Sequence, residues 1–169
     1  VDYSLPFGQN LSGAKAALIK GWQLNGIYVW DTGTPFSVTN SSNRSGTRPG
    51  SSNTDRPNQI RNANLSHKAV AEWFDTSAFI GQDGGQIGSE RRDQIYGPHF
   101  QHLDLSLFKT FPITEAVHLE FRTEAFNVAN SVNFANPGAS LGASGFGTIS
   151  STANAYNPRL IQFATKIQF

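Results

Sequence analysis

The chain has 169 residues and a mass of 18.4 kDa, enough for one domain or one piece of a larger one. With 13 Lys+Arg against 12 Asp+Glu the net charge is only +1, which excludes a nucleic-acid surface built on cationic excess. Gly, Ser and Asn supply more than a quarter of the residues, and Cys is absent; this excludes a disulfide framework, thiol catalysis and Cys-ligated zinc, and argues against an all-α fold.

Five segments alternate with a period of two, as strands do. The first is residues 1–5. The second covers 22–36, with Trp22, Leu24, Tyr28 and Trp30 on one face and Gln23, Asn25 and Asp31 on the other. The third, 102–111, sets Leu103, Leu105 and Leu107 against His102, Asp104 and Ser106. The fourth, 116–127, sets Val117, Leu119 and Phe121 against a charged ladder of His118, Glu120, Arg122 and Glu124. The fifth, 159–169, sets Ile161, Phe163, Ile167 and Phe169 against Gln162, Lys166 and Gln168. Only 14–20 is helix-like, for about two turns. The aromatics Trp22, Trp30, Phe36, Phe108, Phe111, Phe126 and Phe169 lie near strand ends, as membrane-interface girdles do.

The connections are very unequal. Pro112-Ile113-Thr114-Glu115 is a tight link, whereas 39–101 and 131–157 are long and rich in Ser, Asn and Gly. Loops of that length are usually functional. No stretch approaches the ~18 apolar residues of a membrane-spanning helix, but a membrane β-barrel needs only alternation over ~10 residues. Short turns at one end and long loops at the other are what an outer-membrane barrel shows. In such a barrel the charged ladder faces the lumen and the apolar face the lipid; in a soluble sandwich the ladder faces water and the apolar face a core. Periodicity does not choose between them. The chain contains no Met and hence no initiator, as expected of a segment of a longer protein.

Three motifs bear on chemistry. Asp31-Thr32-Gly33-Thr34, after Tyr28-Val29-Trp30, imitates an aspartic-protease loop, which would need a homodimer to bring two aspartates together. His99 and His102 are three apart on a strand entry and leave opposite faces, which disfavours a shared metal. Arg91-Arg92 beside Glu90 and Asp93 is charge-balanced and reads as a solvated loop face.

The ordered pieces Leu5-Pro6-Phe7-Gly8, Gly21-Trp22-Gln23-Leu24-Asn25-Gly26, Thr32-Gly33-Thr34-Pro35-Phe36, Asp55-Arg56-Pro57-Asn58 and Trp73-Phe74-Asp75-Thr76-Ser77-Ala78-Phe79 carry a resemblance. Asp104-Leu105-Ser106-Leu107-Phe108-Lys109, Phe121-Arg122-Thr123-Glu124-Ala125-Phe126-Asn127 and Arg159-Leu160-Ile161-Gln162-Phe163 continue it. Together they resemble the C-terminal region of TonB-dependent outer-membrane receptors, above all the Oar-like group that bears a carboxypeptidase-regulatory-like domain. The resemblance implies an all-β fold, with 1–169 forming about the last five antiparallel strands of a 22-stranded transmembrane barrel. The plug and N-terminal domains would lie outside the chain.

The function implied is that of an active transporter in the bacterial outer membrane, taking up an extracellular ligand with energy delivered through TonB. It is not an enzyme and needs no cofactor or metal. Its partners would be outer-membrane lipid, the rest of the barrel with its plug, the TonB complex and the barrel-assembly machinery, with no nucleic acid. Asp104, His118, Glu120, Arg122 and Glu124 would face the lumen. Asp55, Arg56, Trp73 and Phe74 in the first long loop are candidates for contacting cargo, or for pinning the loop down. Ile161, Phe163, Ile167 and the terminal Phe169 match the signal that barrels present for assembly. The tight link then faces the periplasm, as does 8–20, and both long loops face outward. The competing reading is a secreted β-sandwich that binds carbohydrate through aromatic, Asn-rich loops; a homodimeric aspartic protease is the third.

Overall fold

The computed structural model describes residues 2–47, 55–153 and 157–169. Val1 of the first expected strand and parts of both long loops, 48–54 and 154–156, lie outside the described residues. Among the described residues eleven strands, one α-helix and a 3-10 turn (Thr76–Ala78) are found, in chain order β1 (Asp2–Ser4), α1 (Gly13–Ile19), β2 (Trp22–Asp31), β3 (Pro35–Phe36), β4 (Thr39–Asn40), β5 (Asn58–Gln59), the 3-10 turn, β6 (Phe79–Ile80), β7 (Ile95–Tyr96), β8 (Phe100–Pro112), β9 (His118–Phe126), β10 (Ser140–Leu141) and β11 (Leu160–Gln168). They divide into two compact units. One comprises Val1–Trp30, Gln101–Val132 and Asn157–Phe169; the other Asp31–Phe100 and Asn133–Tyr156.

The first unit is a five-stranded antiparallel sheet in the order β1-β2-β8-β9-β11, made of the five segments whose alternation marks them as strands. Its register fixes two chemically opposite faces. On one face the rows Leu105–Ala125–Ile161, Leu107–Thr123–Phe163 and Phe111–Leu119–Ile167 run across β8, β9 and β11. On the other run Ser106–Glu124–Gln162, Thr110–Glu120–Lys166 and Pro112–His118–Gln168. The apolar face stands open: Tyr28, Trp30, Ile161, Phe163 and Ile167 are all exposed. Among the described residues of the first unit there is no second sheet to cover it, as a sandwich would require.

Two expectations are corrected. The second strand stops at Asp31 rather than near Phe36. There the Asp31 carboxylate accepts the Gly33 amide at 3.0 Å. Gly33 has φ +93°, and a Cβ on it would lie 2.4 Å from the Gly97 carbonyl oxygen. Only glycine fits that turn. The protease-like motif therefore caps its own turn. Second, three girdle aromatics do not stand on the apolar face. Phe108 is opposite Arg122, whose guanidinium lies 4.8 Å from its ring, and Phe126 shares that parity. Phe36 packs in the other unit. Proximity to a strand end says nothing about parity, and parity decides the face.

At the lower end of the sheet the tight link closes through Ile113 and Thr114 amides on the Val117 carbonyl, at 2.9 and 3.1 Å. Beside it the Ala-rich α1 forms and ends at Gly21, whose φ is +75°. The end of α1 lies over the apolar face: Trp22 Nε1 donates to the Leu18 carbonyl at 3.0 Å, and Lys109 Nζ to the Lys20 carbonyl. Lys109 belongs by register to the apolar row of Phe121, yet it is buried, with its ammonium 4.7 Å from the Phe111 ring centre.

At the upper end Asn127, in left-handed conformation (φ +49°), gathers three chain segments. Its Nδ2 donates to the carbonyls of Ser131 (3.1 Å) and Asn157 (2.9 Å), and its Oδ1 accepts the Ser131 amide at 3.0 Å.

The second unit is made of the two long segments that separate the sheet strands. It is not structureless. Short pairs β3·β7, β5·β6 and the parallel β4·β10 frame a core of Val38, Ala63, Phe74, Ala78, Phe79 and Ile95. Phe74 is its centre, with the rings of Phe36, Phe79 and Phe146 at 5.9, 5.9 and 5.3 Å.

Candidate functional site

Two polar regions can meet a ligand, one in each unit. The polar sheet face carries the ladder of β9. His118, Glu120, Arg122 and Glu124 have the same parity, so all four project from one face with Gln162, Lys166 and Gln168 of β11 beside them. Arg122 bonds Glu120 Oε1 through Nη2 at 2.9 Å and Nε at 3.1 Å, and Gln162 Nε2 donates to Glu124. Asp104 sits higher on β8. Its Oδ1 accepts from His102 Nε2 at 2.7 Å and from the Asn127 amide at 2.8 Å. All five expected residues thus lie on the polar side, but Asp104 is held at the strand's upper end, as part of the turn into the second long segment.

In the second unit Asp55 is buried in a polar chain. Its backbone pairs with Asn40 in both directions, at 2.7 and 3.0 Å. Its carboxylate accepts the Ser45 amide (2.7 Å), the Ser45 hydroxyl (2.7 Å) and Gln82 Nε2 (2.9 Å), while Gln82 Oε1 accepts Asn40 Nδ2 at 3.0 Å. The Ser45 amide, then its hydroxyl, holds the Asp55 carboxyl below the ordinary carboxylate range. Phe74 is wholly enclosed by core rings. Trp73 is half-buried, its indole N–H donating to the Tyr96 carbonyl at 2.8 Å and Lys68 lying 5.3 Å from its ring centre. Arg56 donates through Nη1 to the Glu90 carbonyl at 3.2 Å.

Arg56 also lines a cavity of about 310 Å³ with Arg92 and the hydroxyl residues Ser37, Thr39, Ser45 and Thr47. The cavity offers guanidinium and hydroxyl groups, the donor set for a carboxylate, a phosphate or a polyol. The four residues singled out in the sequence are therefore not one constellation. Asp55 and Arg56 border the cavity, whereas Phe74 and Trp73 belong to the core and its edge.

Glu90 departs from the solvated loop face expected of its cluster. Arg91, Arg92 and Asp93 are exposed, but Glu90 is only 3% exposed. Its Oε1 accepts the Val38 amide at 3.2 Å, and Oε2 has no hydrogen-bond partner among the described residues. Burial pushes the Glu90 carboxyl above its ordinary 4.5, with the Val38 amide and Arg56 opposing. Since the folded state favours the protonated form, its contribution is greatest below the ordinary value and is lost as pH rises through the raised one. Glu90→Gln is expected to slow proteolysis of this unit at pH 7 and to leave it unchanged below about pH 4.5. Proteolysis rates across pH check this, and a gain equal at all pH values refutes it.

Ser45, Asn40, Gln82 and Glu90 escape sequence reasoning, because isolated polar residues in aperiodic segments look alike whether buried or solvated. Among the described residues no group of three His, Asp or Glu side chains is placed to hold a metal ion.

A family model described as outer membrane beta barrel domain matches residues 1–162. No curated protein and no solved structure matches the chain.

Proposed function

The chain belongs to the outer membrane β-barrel domain family and so to the bacterial outer membrane, and from that premise we propose that it is part of an active transporter of the TonB-dependent, Oar-like kind. One observation carries this reading. A sheet with one open apolar face and one charged face is joined in the same chain to a folded loop unit that holds a polar cavity. Lipid suits the first face and an aqueous lumen the second. The loop unit, on the outside, would capture a polar cargo through Arg56, Arg92 and the cavity hydroxyls, with Asp55 as the brace. Transport, not catalysis, is the activity assigned.

The remaining partners follow from the sheet. β1 and β11 each have one neighbour in it, so both edges would pair with further barrel strands around a plug. Ile161, Phe163 and Ile167 share the apolar face of β11, and Phe169 is fully exposed beyond it, a placement that suits recognition by the barrel-assembly machinery. Binding of the periplasmic domain of TonB to the complete protein tests the proposal. Saturable binding is the expected result, and its absence, with the barrel intact, overturns it.

A further inference from the structure

Residues 87–94 divide their side chains between two cavities of the loop unit. Ile87 and Arg92 line the one already described, with Asp55 and Arg56. Ser89, Arg91 and Gln94 line a second, open cavity of about 320 Å³, with Gln59, Ile60 and Arg61. Both cavities thus draw on the same two stretches of chain, 55–61 and 87–94. Hydrogen bonds lace these stretches together. The Glu90 amide donates to the Pro57 carbonyl at 3.0 Å, the Gln59 amide to the Ser89 hydroxyl at 3.1 Å, and the Ser89 amide to Asn58 Oδ1 at 3.0 Å. Arg56 of the first cavity and Arg61 of the second are five positions apart, which sets their Cα atoms no more than ~18 Å from each other.

The two cavities repeat one composition. Each is lined by two arginines, by hydroxyl or carboxamide side chains, and by one exposed isoleucine, Ile87 in the first and Ile60 in the second. Each also sets acceptors beside its donors. In the first, the Asp55 carboxylate and the Ser and Thr hydroxyls stand with Arg56 and Arg92. In the second, Gln94 Nε2 donates to Gln59 Oε1 at 2.9 Å and to the Arg91 carbonyl at 2.8 Å, which leaves Gln94 Oε1 to accept beside Arg61 and Arg91. Acid stands close to the arginines: Asp55 shares the first cavity, and Asp75 accepts Arg61 Nε at 2.8 Å. A strongly anionic group would meet these carboxylates. A sugar hydroxyl both donates and accepts, and the C–H face of a sugar ring suits an exposed isoleucine. We propose that the two cavities are paired subsites for one neutral oligosaccharide, whose chain crosses the laced segments and sets a sugar unit in each. The inference deepens the cargo-capturing reading of the loop unit and rests on it.

Binding of immobilised sugars by the complete, detergent-solubilised protein tests it. The probes are hexasaccharides of glucose, xylose, mannose and galactose, the corresponding monosaccharides, and the hexasaccharide of galacturonate as the acidic case. Wild type is expected to bind at least one neutral hexasaccharide and to prefer it to its monosaccharide and to the galacturonate. Arg92→Ala in the first cavity and Arg91→Ala in the second should each weaken that binding about tenfold, the loss of one hydrogen bond from a charged group. Both side chains are exposed, so neither change disturbs the core. Heat-modifiable mobility shows that each variant is folded, and if one is not, the wild-type preferences decide alone. Binding to none of the neutral hexasaccharides overturns the proposal, as does binding of a monosaccharide as tightly as of its hexasaccharide. Preference for galacturonate makes the site anionic and also overturns it. Undiminished binding by either folded variant removes that subsite and with it the pairing. Absence of TonB binding with a neutral hexasaccharide still bound refutes the transport reading and leaves this one standing, and the reverse result refutes this one alone.

Discussion

Phe74→Ala is expected to lower the stability of the loop unit by about 3–5 kcal/mol, the range for truncating a buried aromatic in a packed core. Phe74 is 0% exposed and contacts three other rings, two of them edge-on, so the cavity left behind would be walled by Phe36, Phe79 and Phe146. Phe36 and Phe79 sit in two different strand pairs, each only two residues long, and Phe146 makes a single bridge to Gly138. None can move inward without breaking its own backbone pairing, which puts the cost at the upper end. Hydrogen exchange of the complete protein checks this through the amides of Ile60 and Asp75, which bond to Ala78 and Ala63 of the same core. Unchanged protection of both would show that the core is held elsewhere.

Leu105→Arg carries the second largest expected effect, a loss of about 2–4 kcal/mol in folding from the membrane, whereas Ser106→Arg should cost much less. The two residues are adjacent on β8 and differ only in face: Ser106 stands in the polar row with Glu124, Leu105 in the apolar row with Ala125 and Ile161. Depth adds to the contrast. Gly26, midway between Trp22 and Trp30 on β2, lies against Leu105, since a Cβ there would be 3.1 Å from Leu105 Cδ2. If the two indoles mark the two interfaces, Leu105 is close to the bilayer midplane. Leu119 is on the same face but is the second residue of β9, next to the tight link, so Leu119→Arg should cost less than Leu105→Arg. A folding titration of the whole barrel into lipid vesicles compares the three, and equal costs for Leu105→Arg and Ser106→Arg would refute the assignment of faces.

The sheet was legible in the residues because a strand with two different surroundings writes its period into the chain. Leu103, Leu105 and Leu107 against His102, Asp104 and Ser106 can satisfy lipid and water together only as a strand. Bounds failed where a turn imitates the alternation, as at Asp31 to Phe36. Lys109 breaks the pattern on the apolar face, and its partners, the Lys20 carbonyl and the Trp22 ring, come from an element about ninety residues away. The loop unit was legible only as the alternative in which Asp55, Arg56, Trp73 and Phe74 pin the long loop down. Strands of two residues have no period to read, and Phe74 looks no different in sequence from an aromatic offered to a ligand. Asp55 is the same case: a carboxylate beside an arginine suggests binding, and only the long-range partners Ser45 and Gln82 reveal a brace. Glu90 lay in a cluster whose charges balance on paper, while its burial follows from Val38, fifty-two positions away.

The hydrogen bonds of Asn127 make the second long segment a closed ring whose clasp belongs to the wall of the barrel. Residues 131 and 157 meet on one amide side chain, so what lies between them is joined to the strands at a single base. With the ends fixed, doubling the length of such a segment adds only about 0.6 kcal/mol of closure entropy. Insertions between its pairing and core residues can then be absorbed without disturbing the register of β9 on β11, while β10 on β4 and Phe146 on Phe74 tie the segment to the rest of the loop unit. On the proposed orientation this is the outward side, so changes of length there leave the wall below as it is.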